Sequence, residues 1–251
     1  MNWVLDLDGV VWLAETPIPG AADAVRRLQA AGESVVFVTN NSHPTEAEYE
    51  AKLERHGIDA RGAVISSAMA AASLVLPGER ALVCGGPGVL EALDKRGVTI
   101  IEDGQPDVVV VGFHRDFDYE RMRIAATATR AGARLIGTND DATYPTPAGL
   151  IPGAGAILAA IERASGVRAI VAGKPYEPMA ATVRARIGDG TATVVGDRPD
   201  TDGRLARTLG YRYALVLTGV ISAEEATLVD PPPDEVAPDL ATVVARYGIN
   251  G

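Results

Sequence analysis

The sequence predicts an α/β protein whose mostly parallel sheets are covered by helices on both faces. Three observations carry that prediction. Eight short apolar runs alternate with amphipathic stretches along the 251 residues, the order that links parallel strands through helical crossovers. Several runs end in a polar cluster, where open α/β sheets place their ligands. Two such clusters lie early and two late, and the roughly 130 residues from Asn41 to Gly173 carry strands and helices of their own, as an inserted domain would.

In chain order, strands are expected at Trp3–Leu7, Ser34–Val38, Ala81–Cys84, Val108–Gly112, Arg134–Ile136, Ala169–Val171, Thr193–Val195 and Tyr213–Leu217, each short and rich in β-branched or other apolar residues. Helical spacing of apolar positions falls on Ala21–Ala31, Thr45–His56, Val89–Arg96, Tyr119–Ala131 and Pro178–Ile187, with a further short helix at Asp202–Leu209. The Pro-rich segment Asp230–Pro238 reads as a surface loop before a last helix. The insertion is placed at Pro77–Val167, leaving 1–76 and 168–251 as the core.

Composition narrows the function. A net charge of −10 disfavours a nucleic-acid backbone or an anionic membrane as partner. One cysteine, Cys84, excludes an intramolecular disulfide and is expected to be a buried apolar residue; three scattered histidines give no zinc-type cluster. Aspartates near the N-terminus argue against a secretory signal, and the longest uncharged run, Ala142–Ile161, is broken by three prolines and three glycines. A cytoplasmic protein is expected.

The clusters carry the chemistry. Asp6 and Asp8 lie two apart at the end of the first run, which in a strand sets two negative charges on one face. A cation relieves that cost. An aspartate there can attack phosphorus as a nucleophile when a hard cation such as Mg²⁺ screens the incoming phosphate, and a second carboxylate can move the protons. Asp6 and Asp8 suit these two roles. Thr39 is suited to donating its hydroxyl to a phosphate oxygen and Asn40 its backbone amide, although Ser42 or Thr45 can equally cap the next helix. Lys174, between Gly173 and Pro175, offers a counter-charge to both phosphate and nucleophile. Asp197 is suited to direct metal ligation, and Asp202 to holding a metal-bound water or Lys174; Asp200 and Thr201 read as helix caps. Four such clusters in one order point to a shared site.

With those residues in view, the chain resembles the haloacid dehalogenase superfamily of phosphohydrolases. Asp6-Leu7-Asp8-Gly9-Val10, Thr39, Lys174, and Gly196-Asp197 with Thr201-Asp202 match its four motifs in order. The words "DLDGVVW", "VTNNS", "GTNDDATYPTPAGLIPGAG", "AGKP" and "GDRPDTD" are similar to the NagD-like, p-nitrophenylphosphatase-like branch, class IIA. The resemblance implies a Rossmannoid parallel-sheet core with an inserted α/β cap domain at 77–167, and a phosphatase acting on small organic phosphates. It also implies a phosphoaspartate at Asp6 and acid/base duty for Asp8. Mg²⁺ would be held by the Asp6 carboxylate, the Asp8 carbonyl and Asp197, with Asp202 in support. Pro199, Gly203 and His114 depart from the branch's pattern, His114 replacing a common Asp in the cap.

Glycerol 3-phosphate, phosphoglycolate, sugar phosphates and, in vitro, p-nitrophenyl phosphate fit that expectation. The partner is then a small phosphorylated metabolite, with a homodimer through the cap as a further expectation. Thr138, Asn139 and Asp140 are candidate substrate contacts in the cap, while Gly153 and Gly155 suit tight packing at a helix start. Two alternatives stay open: a phosphotransferase using the same intermediate, and a nucleotide-binding regulatory module suggested by "VCGGPGVLEAL". In the second, Glu91 stands where the dinucleotide fingerprint needs a third glycine.

Overall fold

The computed structural model describes residues 1–146, 149–188 and 190–249. All eight runs expected as strands are strands, with ends shifted by a residue or two, and the five amphipathic stretches are helices. The chain divides into two compact units. One comprises Met1–Thr39, Tyr49–Ile65 and Val183–Gly251, the other Asn40–Glu48 and Ser66–Thr182.

The first unit is built on a six-stranded sheet in the order Glu235–Ala237, Arg212–Val216, Ala192–Gly196, Asn2–Asp6, Ser34–Thr39, Val64–Ser66. Successive pairs from Glu235–Ala237 to Ser34–Thr39 are parallel. The chain starts in the middle at Asn2–Asp6, works outward on one side, then returns to build the other. That reversal puts the switch point of the sheet beside the first strand, where crevices open at carboxyl ends. Helix Ala21–Ala30 buries Ala21, Ala24, Val25 and Leu28, a single 3.6-period stripe. It shares its core with Trp3, Leu5, Phe37, Leu240, Val243 and Val244. Phe37 is fully buried, so Phe37→Ala should lower stability by about 3–5 kcal/mol. A urea titration checks this: the midpoint falls at unchanged slope, whereas Leu228→Ala, at an exposed position, stays within about 0.5 kcal/mol.

The second unit has a five-stranded parallel sheet, ordered Ile170–Val171, Arg134–Gly137, Val108–Val111, Arg80–Cys84, Thr99–Ile101. Its central strand, four consecutive valines, is buried throughout, as a parallel strand covered on both faces must be. An antiparallel hairpin, Thr143–Thr146 with Gly149–Pro152, precedes helix Ala154–Ser165. This unit is wider than the interval 77–167. Ile170–Val171 pairs with Arg134–Gly137, so Lys174 follows a strand of the second sheet.

One local expectation changes, and one open alternative is decided. The helix placed at Asp202–Leu209 begins as a π-helical turn over Pro199–Gly203 and becomes α-helical only at Arg204–Leu209; neither Asp200 nor Thr201 caps it, and Asp200 instead pairs with Arg198 at 3.0 Å. Thr45, not Ser42, caps the helix at Glu46–Arg55: its hydroxyl accepts from Glu48 N while Glu48 accepts from Thr45 N, a reciprocal pair that satisfies two otherwise orphaned donors. Among the described residues no helix is long and apolar enough to cross a membrane.

Candidate active site

Three aspartates of the first unit converge. Asp6 is the last residue of the central strand, Asp197 follows Ala192–Gly196 directly, and Asp202 lies in the π-turn. Each offers a carboxylate oxygen within 4.8 Å of the others, and all three residues are buried. Their main-chain donors are local. Asp6 Oδ1 accepts from Leu7 N at 2.8 Å, Asp197 Oδ2 from Val220 N at 2.9 Å, and Asp202 Oδ2 from Arg198 N at 3.1 Å. Three gathered carboxylates in a low-dielectric setting disfavour one another's charge unless a cation shares them. All-oxygen, charged donors are the preference of a hard ion, so the set fits Mg²⁺.

The strand ends at Asp6, so Asp8 is not on a strand face beside it. Asp8 lies in the tight turn where Val10, Val11 and Trp12 N all donate to the Leu7 carbonyl. It is half-buried, and the carboxylate trio is Asp6, Asp197 and Asp202. Thr39 ends the adjacent strand and is buried.

Glycines make room for the trio. A Cβ on Gly9, whose φ is +80°, would stand 2.4 Å from Asp197 Cγ; one on Gly219 would stand 1.8 Å from Asp197 Oδ2; one on Gly196 would stand 2.2 Å from Asp202 Oδ2. Thr218 Oγ1 donates to the Gly9 carbonyl, fastening the two loops around Asp197. The Thr218-Gly219-Val220 segment matches no motif in the sequence. Its signal was a polar Thr-Gly pair directly after the apolar run Tyr213–Leu217, the same strand-end pattern as the other clusters.

Tyr213 lies beneath this charge. Burial first, then the charges of Asp202, Asp197 and Asp6, push its phenol far above the ordinary tyrosine range, and its hydroxyl donates to the Gly196 carbonyl at 3.4 Å. The folded protein therefore keeps a proton that the unfolded chain releases near pH 10. Stability is whole below that pH and falls above it, by up to about 1.4 kcal/mol per pH unit. Thermal unfolding across pH 9–11 should show the decline, and Tyr213→Phe should flatten it. Cys84 is buried, which raises its thiol to about 11, so it is inert packing as expected.

The second unit gathers the remaining predicted residues. Lys174 is buried, and its main chain is bonded to the Asn40 carboxamide: Lys174 N donates to Asn40 Oδ1 at 2.7 Å and Asn40 Nδ2 donates to Lys174 O at 3.1 Å. Thr138 is completely buried and its hydroxyl bonds Ser42 Oγ at 3.1 Å. Asn139 donates to the Asn40 carbonyl at 2.6 Å, and Asp140 accepts from the Tyr176 hydroxyl. All three expected substrate contacts are thus engaged with the protein's own chain. His114 Nδ1 accepts from Asp116 N at 3.3 Å, while burial and Arg121 lower its pKa and so favour the neutral ring.

Glycines of this unit serve close packing. A Cβ on Gly153 or Gly155 would stand 2.3 Å from the Asp141 or Asp140 carbonyl oxygen. In "VCGGPGVLEAL", Gly86 and Gly88 are filled by His43 and by the Pro44 carbonyl, each 2.2 Å from a would-be Cβ. The space a pyrophosphate would need at that helix start belongs to the protein.

A parallel α/β core with buried carboxylates drawn together at its strand ends defines a protein built to hold a hard cation. Comparison with known proteins places it more closely. A family model described as haloacid dehalogenase-like hydrolase matches residues 3–99, and one described as HAD-hydrolase-like matches 171–243. The chain is similar to the acid sugar phosphatase of Staphylococcus aureus, 33% identical over 97% of this chain and 96% of that protein. It is also similar to the D-glycerol 3-phosphate phosphatase of Mycobacterium tuberculosis, 37% identical over 91% of this chain, which spans 66% of that relative. Among solved structures, a glycerol phosphate phosphatase from M. tuberculosis in complex with magnesium superposes with a TM-score of 0.89 at 35% identity, covering 96% of this chain and 75% of that one. A structure described as a putative nagD protein gives 0.89 at 30% identity, covering 98% and 97%. The chain belongs to the haloacid dehalogenase-like hydrolase family, in its NagD-like, class IIA branch.

Proposed function

We propose that the protein is a Mg²⁺-dependent phosphomonoester hydrolase acting on small organic phosphates through a phosphoaspartate at Asp6. The observation that carries this reading is the buried Asp6–Asp197–Asp202 cluster at the carboxyl ends of parallel strands. Relatives named glycerol 3-phosphate phosphatase and acid sugar phosphatase support the substrate class, and the magnesium complex of a structural relative supports the ion.

In this reading the Asp6 carboxylate attacks phosphorus and the ester P–O bond breaks. Asp8 protonates the departing alkoxide, then takes a proton from water as that water attacks the aspartyl phosphate, releasing orthophosphate and restoring Asp6. The Asp6 carboxylate, the Asp8 carbonyl and Asp197, with Asp202 in support, would hold Mg²⁺, which when bound would supply charge neutralisation between phosphate and nucleophile. Thr39 and the Asn40 amide hold phosphoryl oxygens, and Lys174 adds a counter-charge. The test is orthophosphate release from glycerol 3-phosphate, phosphoglycolate, sugar phosphates and p-nitrophenyl phosphate, with Mg²⁺ and with a chelator. Hydrolysis of at least one ester that chelation abolishes is expected; no hydrolysis of any, or hydrolysis indifferent to chelation, contradicts the reading.

A further inference from the structure

The sequence gives Asn40 a role through its backbone amide. Its side chain does something else. The carboxamide lies between two segments far away in the chain and uses each of its polar atoms: Oδ1 accepts from Lys174 N at 2.7 Å, and Nδ2 donates to Lys174 O at 3.1 Å and to Asp141 Oδ2 at 3.0 Å. The arrangement fixes its own orientation. An ionised carboxylate only accepts, so the NH₂ faces Asp141; the amide oxygen is then left facing Lys174 N, which only donates. The Asn40 carbonyl is held in turn, by Asn139 Nδ2 at 2.6 Å and Ser67 Oγ at 2.5 Å. Gly173 lets the strands of chain meet this closely, since a Cβ there would stand 2.5 Å from Asn40 Oδ1 and 2.6 Å from the Thr138 carbonyl.

We propose that Asn40 is a positioning residue for Lys174: its carboxamide grips the lysine's main chain at both N–H and C=O, and Asp141 locks the carboxamide in the gripping orientation. The inference rests on the reading of Lys174 as the counter-charge to phosphate. A long, flexible ammonium stem holds a fixed place only if its backbone does, and displacements near 1 Å cost about 10²-fold in rate. The segment that follows Thr39 and the lysine loop therefore move as one piece.

Exchanging the polarity of the pair tests this. Asn40→Asp keeps the acceptor for Lys174 N but turns a second oxygen toward Asp141 and the Lys174 carbonyl; it should lower kcat/KM by about 10²-fold. Adding Asp141→Asn returns an N–H donor to the pair and should recover about tenfold of that loss. In a Lys174→Met background, Asn40→Asp should cost no more than about threefold, because a residue that acts through Lys174 has nothing left to position. Loss of the same size with and without Lys174, or no recovery in the exchanged pair, overturns the proposal. A readout free of catalysis accompanies it: hydrogen exchange at the Lys174 amide should quicken at least about tenfold in Asn40→Ala while the Val109 amide is unmoved. Unchanged exchange at Lys174 overturns the grip. A wild type that hydrolyses no ester, with exchange as expected, refutes instead the phosphatase reading.

Discussion

Asp6→Asn abolishes ester hydrolysis, lowering kcat by about 10⁴-fold or more, the scale on which removal of a nucleophile acts. The substitution is nearly isosteric, and the carboxamide oxygen still accepts the Leu7 N–H that now reaches Asp6 Oδ1. The fold therefore survives, and thermal unfolding without Mg²⁺ should remain within a few degrees of wild type. What disappears is the charged oxygen that attacks phosphorus and one of three negative donors in the trio. Activity and cation binding fall together. Asp202→Asn, which spares the nucleophile, should weaken cation binding with a smaller loss of rate at saturating Mg²⁺. Steady-state kinetics across Mg²⁺ concentration separate the two variants.

The second large effect comes from residues with no chemistry of their own. Gly219→Ala puts a methyl carbon where Asp197 Oδ2 stands, 1.8 Å away, and Gly9→Ala adds a positive φ to a 2.4 Å approach on Asp197 Cγ. In either case Asp197 must turn aside. It then loses the Val220 N–H and its place in the trio, for an expected fall in kcat/KM of about 10²-fold or more. Gly32→Ala is the control. Its φ is +75° with nothing within 4 Å, so it carries only the left-handed backbone cost of about 1–2 kcal/mol and should leave kcat/KM unchanged. Loss of activity in Gly32→Ala equal to that in Gly9→Ala would make backbone strain, and not the displaced carboxylate, the cause at Gly9; Gly219, whose φ is not left-handed, carries the displacement alone.

The strands were legible where β-branched runs are long enough to show themselves, as in Val108–Val111 and Ser34–Thr39. Val64–Ser66, Thr99–Ile101 and Glu235–Ala237, each three residues long, are too short for any periodicity. Motif positions divide the chain at 77 and 167, whereas strand pairing sets the division: Ile170–Val171 joins the second sheet through two residues, which no local pattern announces. In the site, Asp6 and Asp197 declared themselves by following apolar strands. Asp202 stands in the sequence as support and in the fold offers a carboxylate oxygen within 4.8 Å of those of Asp6 and Asp197, from its place in the π-turn. The Asn40 side chain was unreadable for a different reason. Its partners lie 101 and 134 positions away, and only the folded chain brings them within hydrogen-bonding reach.

Calorimetric titration of the metal-free protein with Mg²⁺ decides whether Asp6, Asp197 and Asp202 are gathered to share a hard cation. The expected isotherm is one that Asp197→Asn weakens by tenfold or more, with a wild-type melting temperature about 5–10 °C higher at an Mg²⁺ concentration near a hundred times Kd. An identical isotherm in Asp197→Asn, or no binding by the wild type, would contradict that sharing.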